Sequence, residues 1–275
     1  MQLVHEREGS GPQLVLLAGI GMNRTAWRPL RSRLAEEREL LLLDLPGFGE
    51  SAALPDDTDA TIDALCDAVE RCLPELGFQR PHVAGNSLGG AVALELARRD
   101  AVASATAISP AGFWSDLEGR FAHRSLQASW ALSRRFRPSA PRLLARPRMR
   151  RLLYAQMFAH PEAMTPAEAL AHMDMFLHGD GFHALLPNAE GYEFPAGDLS
   201  VPATIAWGTR DALLLPTQAR RARERLPSAQ HVWLRGCGHV PMSDDPEQVA
   251  AVILRGSAEP RSAAPREAEP VNART

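Results

Sequence analysis

Short apolar runs alternate with stretches of helical spacing along most of this chain, and that alternation restricts the fold more than any other feature. Residues 13–18, 40–45, 82–85, 102–109, 201–207 and 231–234 each read as a short buried strand. Residues 24–37, 59–77, 88–99, 217–226 and 246–254 carry apolar side chains at helical intervals, such as Ile62, Leu65, Val69 and Leu73 in the second. Strands alternating with helices predict β-α-β units. The expected class is α/β, a mostly parallel central sheet covered by helices on both faces. The rhythm breaks after the fourth run. Residues 112–195 hold helical patches, several prolines and no convincing strand, which predicts a helical cap over the C-terminal edge of the sheet. The chain thus divides into a core of residues 1–111 and 196–255, a cap of 112–195 and a tail of 256–275. The tail is rich in proline, alanine and charge and is expected to be disordered.

The third run ends in Gly85-Asn86-Ser87-Leu88-Gly89, and a helical stretch follows at once. G-x-S-x-G at a strand-to-helix turn is the pattern of a nucleophile elbow. The serine must occupy a strained backbone conformation to stand exposed at the strand end. Side chains at the flanking positions would clash with the neighbouring strand and helix, so both are glycine. The five residues alone also suit an ordinary strand–helix turn. The strand before, the helix after and the small Gly90 and Ala91 favour the elbow.

In this context the chain resembles the α/β-hydrolase superfamily up to about residue 255. The markers stand in the family's order: Gly19-Ile20-Gly21 with Trp27 downstream, Asp44-Leu45-Pro46-Gly47-Phe48-Gly49-Glu50-Ser51, the elbow, Trp207-Gly208-Thr209-Arg210-Asp211, and Gly236-Cys237-Gly238-His239-Val240-Pro241. The resemblance implies a serine hydrolase with a helical cap, acting on an ester, lactone or thioester through an acyl-enzyme. The family order of nucleophile, acid and histidine falls on Ser87, Asp211 and His239. A neutral hydroxyl needs a base, and His239 in its glycine-flanked loop suits that role; the plain alternative is a surface histidine. Asp211 would fix the imidazole tautomer; the plain alternative is an N-cap for the helix starting near Pro216. The backbone N–H of Leu88 would bind a developing oxyanion and, by resemblance, so would that of Ile20. One departure is Ala18, where the family commonly has a histidine. The strand before the cap ends Ile108-Ser109-Pro110-Ala111, without a rival carboxylate. Asp244 and Asp245 are expected to cap the last helix, and Asp44 to serve its loop structurally.

Composition removes other classes. All 30 basic residues are arginine, so there is no Walker lysine and no Schiff-base lysine. The net charge of −3 argues against a nucleic-acid binder. Three cysteines without C-x-x-C spacing suit neither a zinc ribbon nor a disulfide framework. No metal and no cofactor are expected. The first ten residues carry His5, Glu6, Arg7 and Glu8 where a signal peptide needs apolar side chains, and no run approaches the roughly 18 apolar residues of a membrane span. A cytoplasmic protein is the expectation.

Gly19-x-Gly21 followed by Asp44 also raises a dinucleotide site, but the third small position is Arg24, and Pro46-Gly47 does not suit a ribose contact. Ser87 excludes the aspartate-dependent dehalogenases and epoxide hydrolases. Carbon–carbon bond hydrolases, the nearest alternative, share G-N-S-x-G but carry a tryptophan where this chain has Val240. A non-catalytic binding protein on this fold is the remote alternative. Residues 120–151 hold ten arginines and no acid. This reads either as a solvated helix surface or as a cationic platform for an anionic or carrier-bound substrate. The expected partner is a small ester-type molecule; the oligomeric state is open.

Overall fold

The computed structural model describes residues 2–258. Seven strands, β1 (His5–Glu8), β2 (Gln13–Leu17), β3 (Glu39–Leu43), β4 (His82–Asn86), β5 (Ser104–Ile108), β6 (Ala203–Gly208) and β7 (Gln230–Leu234), form one sheet in the order β1-β3-β2-β4-β5-β6-β7. Every neighbouring pair is parallel except β1 with β3. The central strands are apolar on both faces because both are covered. Val15, Leu17, Leu41, Leu43 and Val83 join one core, and Leu14, Leu16, Leu40, Leu42 and Ala84 the other.

The helices are α1 (Arg28–Ala35), α2 (Ile62–Glu75), α3 (Leu88–Arg98), α4 (Asp116–Phe136), α5 (Ala140–Leu144), α6 (Pro147–Tyr154), α7 (Pro166–Leu177), α8 (Gly181–Glu190), α9 (Thr217–Arg225), α10 (Pro241–Asp244) and α11 (Pro246–Gly256). The cores place α2, α3 and α9 on one face of the sheet and α1 and α11 on the other. Helices α4 to α8 fall in the stretch between β5 and β6 that the sequence reads as a cap. It has a small core of its own, Ala140, Leu144, Ala169 and Met173, and is rooted in the main core by Leu126, Phe182, Leu185 and Leu186.

The structure departs from the sequence reading at several edges. β1 is a strand of charged residues that periodicity does not reveal. It is an antiparallel edge strand, and its charges are taken by Arg7–Glu39 and by Glu6 with Arg24 and Arg31. The stretch 24–37 divides into a 3-10 turn, Arg24–Trp27, and α1, with Pro29 in the first turn of α1. α2 starts only at Ile62, where Thr61 caps the Ala64 N–H at 3.1 Å. α11 continues through Gly256, and Ser257 is buried with Arg38 Nε 3.1 Å from its Oγ. The chain is therefore ordered into the first residues assigned to the tail; residues 259–275 lie outside the described residues. Among the described residues no helix is long and apolar enough to cross a membrane, and no group of three or more His, Cys, Asp or Glu is placed to hold a metal.

Candidate active site

β3 and β4 flank β2, so the chain leaves β2 in one direction and returns on its other side. Ligands of open α/β sheets collect at the carboxyl ends of strands around such a switch point. The Gly19-Ile20-Gly21 loop follows β2 and the elbow follows β4.

Ser87 adopts φ 55° and ψ −114°, a conformation that costs a non-glycine residue about 1–3 kcal/mol. Neighbours on all sides hold it there. Its N–H donates to Ile108 O at 2.9 Å, and its carbonyl accepts from Ala91 N at 3.0 Å and Ala111 N at 3.2 Å. A Cβ on Gly85 would stand 2.0 Å from Gly89 O, and one on Gly89 would stand 2.2 Å from Leu17 O. Strand and helix thus cross in backbone contact, and both glycines are required.

The loops after β6 and β7 also touch backbone to backbone, for a Cβ on Gly208 would lie 2.2 Å from Gly238 O. That contact brings Asp211 to His239, with 2.9 Å between Oδ2 and Nδ1. Asp211 Oδ1 accepts from Leu213 N at 3.0 Å and Leu214 N at 2.8 Å, a turn fastened by Trp207 Nε1 donating to Leu214 O at 2.9 Å. Asp211 does not cap α9, whose N-cap is Pro216. Both side chains are buried, Asp211 3% and His239 1% exposed. The carboxylate assigns the proton to Nδ1, which leaves the Nε2 lone pair free.

Three bonds hold the His239 segment. Asn86 Nδ2 donates to His239 O at 2.9 Å, Gly238 N donates to Asp244 Oδ2 at 2.8 Å, and Val240 N donates to Met157 O of the cap at 2.9 Å. The first ties the histidine directly to the residue before Ser87. Among the described residues Ser87 Oγ makes no hydrogen bond to the ring. Catalytic hydrogen bonds are often long until substrate is bound.

The β2 loop leans on the elbow, with a Gly19 Cβ position 3.2 Å from Ser87 Cβ. Met22 N closes a turn on Gly19 O at 3.1 Å. Gly21, at φ +68°, leaves room for Phe176 of α7, whose ring would be 2.5 Å from a Cβ there. Ala18, in place of the family's histidine, is buried in the core. The Leu88 N–H begins α3 and has no carbonyl one turn behind it within the helix. Ile20 separates two cavity lobes. One, about 40 Å³, is lined by Ser87, Leu88, Trp114, His123 and Leu213. The other, about 60 Å³, is lined by Met22, Tyr154, Met157, His172, Phe176 and Val240. Burial pushes the His172 imidazole below its usual range, against the opposing charge of Glu168.

The sequence profile of the Alpha/beta hydrolase family matches residues 14–252. This chain belongs to that family. It is 32% identical to the dihydrolipoyllysine-residue acetyltransferase component of the acetoin cleaving system of Pseudomonas putida, over 90% of this chain, and spans 63% of that relative's length. It is 31% identical to the pimeloyl-[acyl-carrier protein] methyl ester esterase of Aeromonas hydrophila, over 92% of this chain and 98% of the relative. Among solved structures it resembles a thermophilic esterase from Thermogutta terrifontis, with TM-score 0.71, 25% identity and 92% of each chain covered.

Sequence reasoning overlooked two supports of this α/β-hydrolase site, Asn86 and the link made by Asp244, while Asp44 serves its loop structurally as expected. Asn86 is turned inward and fully buried, bridging Ile108 O at 3.1 Å and His239 O. Asp245 caps α11 through Gln248 N at 3.0 Å, but Asp244 does not. Asp244 instead binds the cap backbone at Ala159 N, 3.0 Å, and the His239 loop. Asp44 is fully buried and gathers Arg24 N at 2.7 Å and Glu50 N at 3.1 Å, and a Gly49 Cβ would overlap its carboxylate at 2.2 Å. The spacing of Asn86 next to the serine was visible, but its partner 153 positions away was not.

Proposed function

We propose that this α/β hydrolase cleaves a carboxylic ester, or a lactone or thioester, through an acyl-enzyme on Ser87. The observation that carries the reading is the buried His239 Nδ1–Asp211 Oδ2 pair at 2.9 Å on a segment fastened to the elbow by Asn86. His239 Nε2 takes the Ser87 proton as Oγ attacks the carbonyl carbon. Asp211 stabilises the imidazolium that forms. The Ile20 and Leu88 N–H groups receive the oxyanion, and the imidazolium returns its proton to the departing alcohol. His239 then takes a proton from water as its oxygen attacks the acyl carbon, and returns that proton to Ser87 Oγ as the acid leaves. The relatives named as esterases support the ester as substrate class. Asn86, the residue that suggested carbon–carbon cleavage, spends its amide on two backbone carbonyls and gives that alternative no support.

The cap supports a carrier-bound or otherwise acidic substrate. Of its ten arginines, Arg150 is buried on Leu144 O and Glu162 O and Arg137 is paired with Asp174; the other eight are exposed. The Aeromonas hydrophila relative, named for an acyl-carrier protein ester, points the same way. Three buried free thiols suit the reducing cytoplasm that belongs to this reading.

A fluorophosphonate should label the wild-type protein at Ser87, identified by mass spectrometry of the tryptic peptide. Ser87→Ala should lose the label and lower ester turnover by about 10⁴-fold or more while keeping its circular dichroism spectrum. Full turnover in that variant ends the proposal.

A further inference from the structure

The lobe beside Ser87 is walled mainly by apolar side chains, Leu88, Leu126, Leu186 and Leu213 among them. One part of the wall is different. Trp114 is 8% exposed, and its Nε1 has no protein hydrogen-bond partner. His123 Nδ1 stands against Glu190 Oε2 at 3.0 Å, without hydrogen-bond geometry between them. All three residues line the lobe.

Gly119 brings them together. It stands one turn before His123 on α4, so the two share a face with Leu126. A Cβ on Gly119 would lie 3.1 Å from Trp114 Cδ1, 3.3 Å from Trp114 Nε1 and 3.5 Å from Glu190 O. The missing side chain lets the indole edge lie against α4 where α8 delivers Glu190. Trp114, His123 and Glu190 therefore stand together in the wall of an apolar lobe that also holds the candidate nucleophile. A buried N–H without a partner forfeits the hydration it had in the unfolded chain. Groups left so in a substrate cavity are candidates for binding a ligand.

We propose that this lobe recognises a hydroxyl group carried by the acyl or alcohol portion of the ester, so that the substrates are hydroxylated esters. The inference rests on the Ser87 reading and narrows its substrate class. The chemistry selects the group. An indole N–H only donates and a carboxylate only accepts, so the matching group must do both. A hydroxyl accepts from Trp114 and donates to Glu190 or to an imidazole nitrogen. A carboxylate meets the Glu190 charge, an ammonium offers no acceptor to Trp114, and a methyl leaves both sides unpartnered. Sites that hydrogen-bond a substrate hydroxyl discriminate strongly against the analogue lacking it.

The test is a set of equal-length esters ending in hydroxyl, methyl or carboxylate, with the variable end on the acyl side in one series and on the alcohol side in the other. Wild type should show kcat/KM at least about tenfold higher for the hydroxyl ester than for the other two in one series. Trp114→Phe, which keeps an aromatic ring and removes the N–H, and Glu190→Gln, on a half-exposed side chain, should each bring the hydroxyl-to-methyl ratio towards one. The same esters are titrated calorimetrically against Ser87→Ala, where the order of Kd should match. No turnover by wild type with the binding order intact overturns the serine-esterase reading and supports hydroxyl recognition by the lobe. Equal handling of hydroxyl and methyl esters, a preference for carboxylate, no preference in binding, or a ratio that neither variant changes overturns that recognition.

Discussion

A single missing methyl group decides the elbow. In an ordinary helix Gly→Ala stabilises by about 0.5–1 kcal/mol because alanine loses less backbone entropy. Gly89 lies in the first turn of α3, yet its Cβ position is 2.2 Å from Leu17 O, a distance that backbone cannot relieve without moving β2. The sign therefore reverses. Gly89→Ala should destabilise by about 2–4 kcal/mol, read from urea unfolding. A gain in stability would mean that the crossing is looser than the structure shows. The same arithmetic separates the glycines whose place the sequence makes plain, Gly85 and Gly89, from Gly208, whose need arises only because a second loop lies against it.

At the scale of elements, the cap must be fastened to the core it covers, and one carboxylate does much of this. Glu118 in the first turn of α4 accepts from Ser115 N at 2.8 Å and Ser115 Oγ at 2.9 Å, from Thr217 Oγ1 of α9 at 3.1 Å, and from Arg221 of α9. Burial by itself raises the pKa of Glu118. The Ser115 donors, Thr217 and the Arg221 charge outweigh it and hold the group below the usual carboxylate range. A group whose folded pKa is depressed contributes stability above its unfolded pKa and loses it as pH falls through the folded one. Glu118→Gln should thus cost about 1 kcal/mol at pH 7, or ~2–4 °C in Tm. That deficit should shrink as both proteins are melted at pH values descending below 4.5. A deficit independent of pH would assign the loss to packing. None of this clasp is legible in sequence beyond the S-x-x-E signature at Ser115 and Glu118, because Thr217 and Arg221 are about a hundred positions away.

Across the whole molecule, the helical stretch between β5 and β6 supplies most of the wall of both cavity lobes. Its exposed arginines alternate along the chain with exposed Leu117, Phe121, Leu132, Phe136 and Leu152, a cationic and apolar composition that the proposed function assigns to an acidic partner. Replacing Arg142, Arg146, Arg148 and Arg151 together by glutamine should lower kcat/KM for a carrier-bound acyl ester several-fold relative to a neutral soluble ester. It should also flatten the salt dependence of the first. An equal loss on both would leave the arginines as solvated surface.

The alternation of strands and helices, the helical stretch between β5 and β6 and the need for glycine at 85 and 89 could be read from the chain, because each depends on local periodicity or on clashes between near neighbours. The edge strand β1 could not, since its hydrogen bonds to β3 define it and its charged residues carry no apolar alternation. The amides that orient Asp211 and the two-carbonyl bridge of Asn86 became visible only with the loops in place, as did the Asp244 link to the cap and the meeting of Trp114, His123 and Glu190. Hydrogen bonds and ion pairs depend on distance in space, and a linear string carries that distance only when partners are close along it.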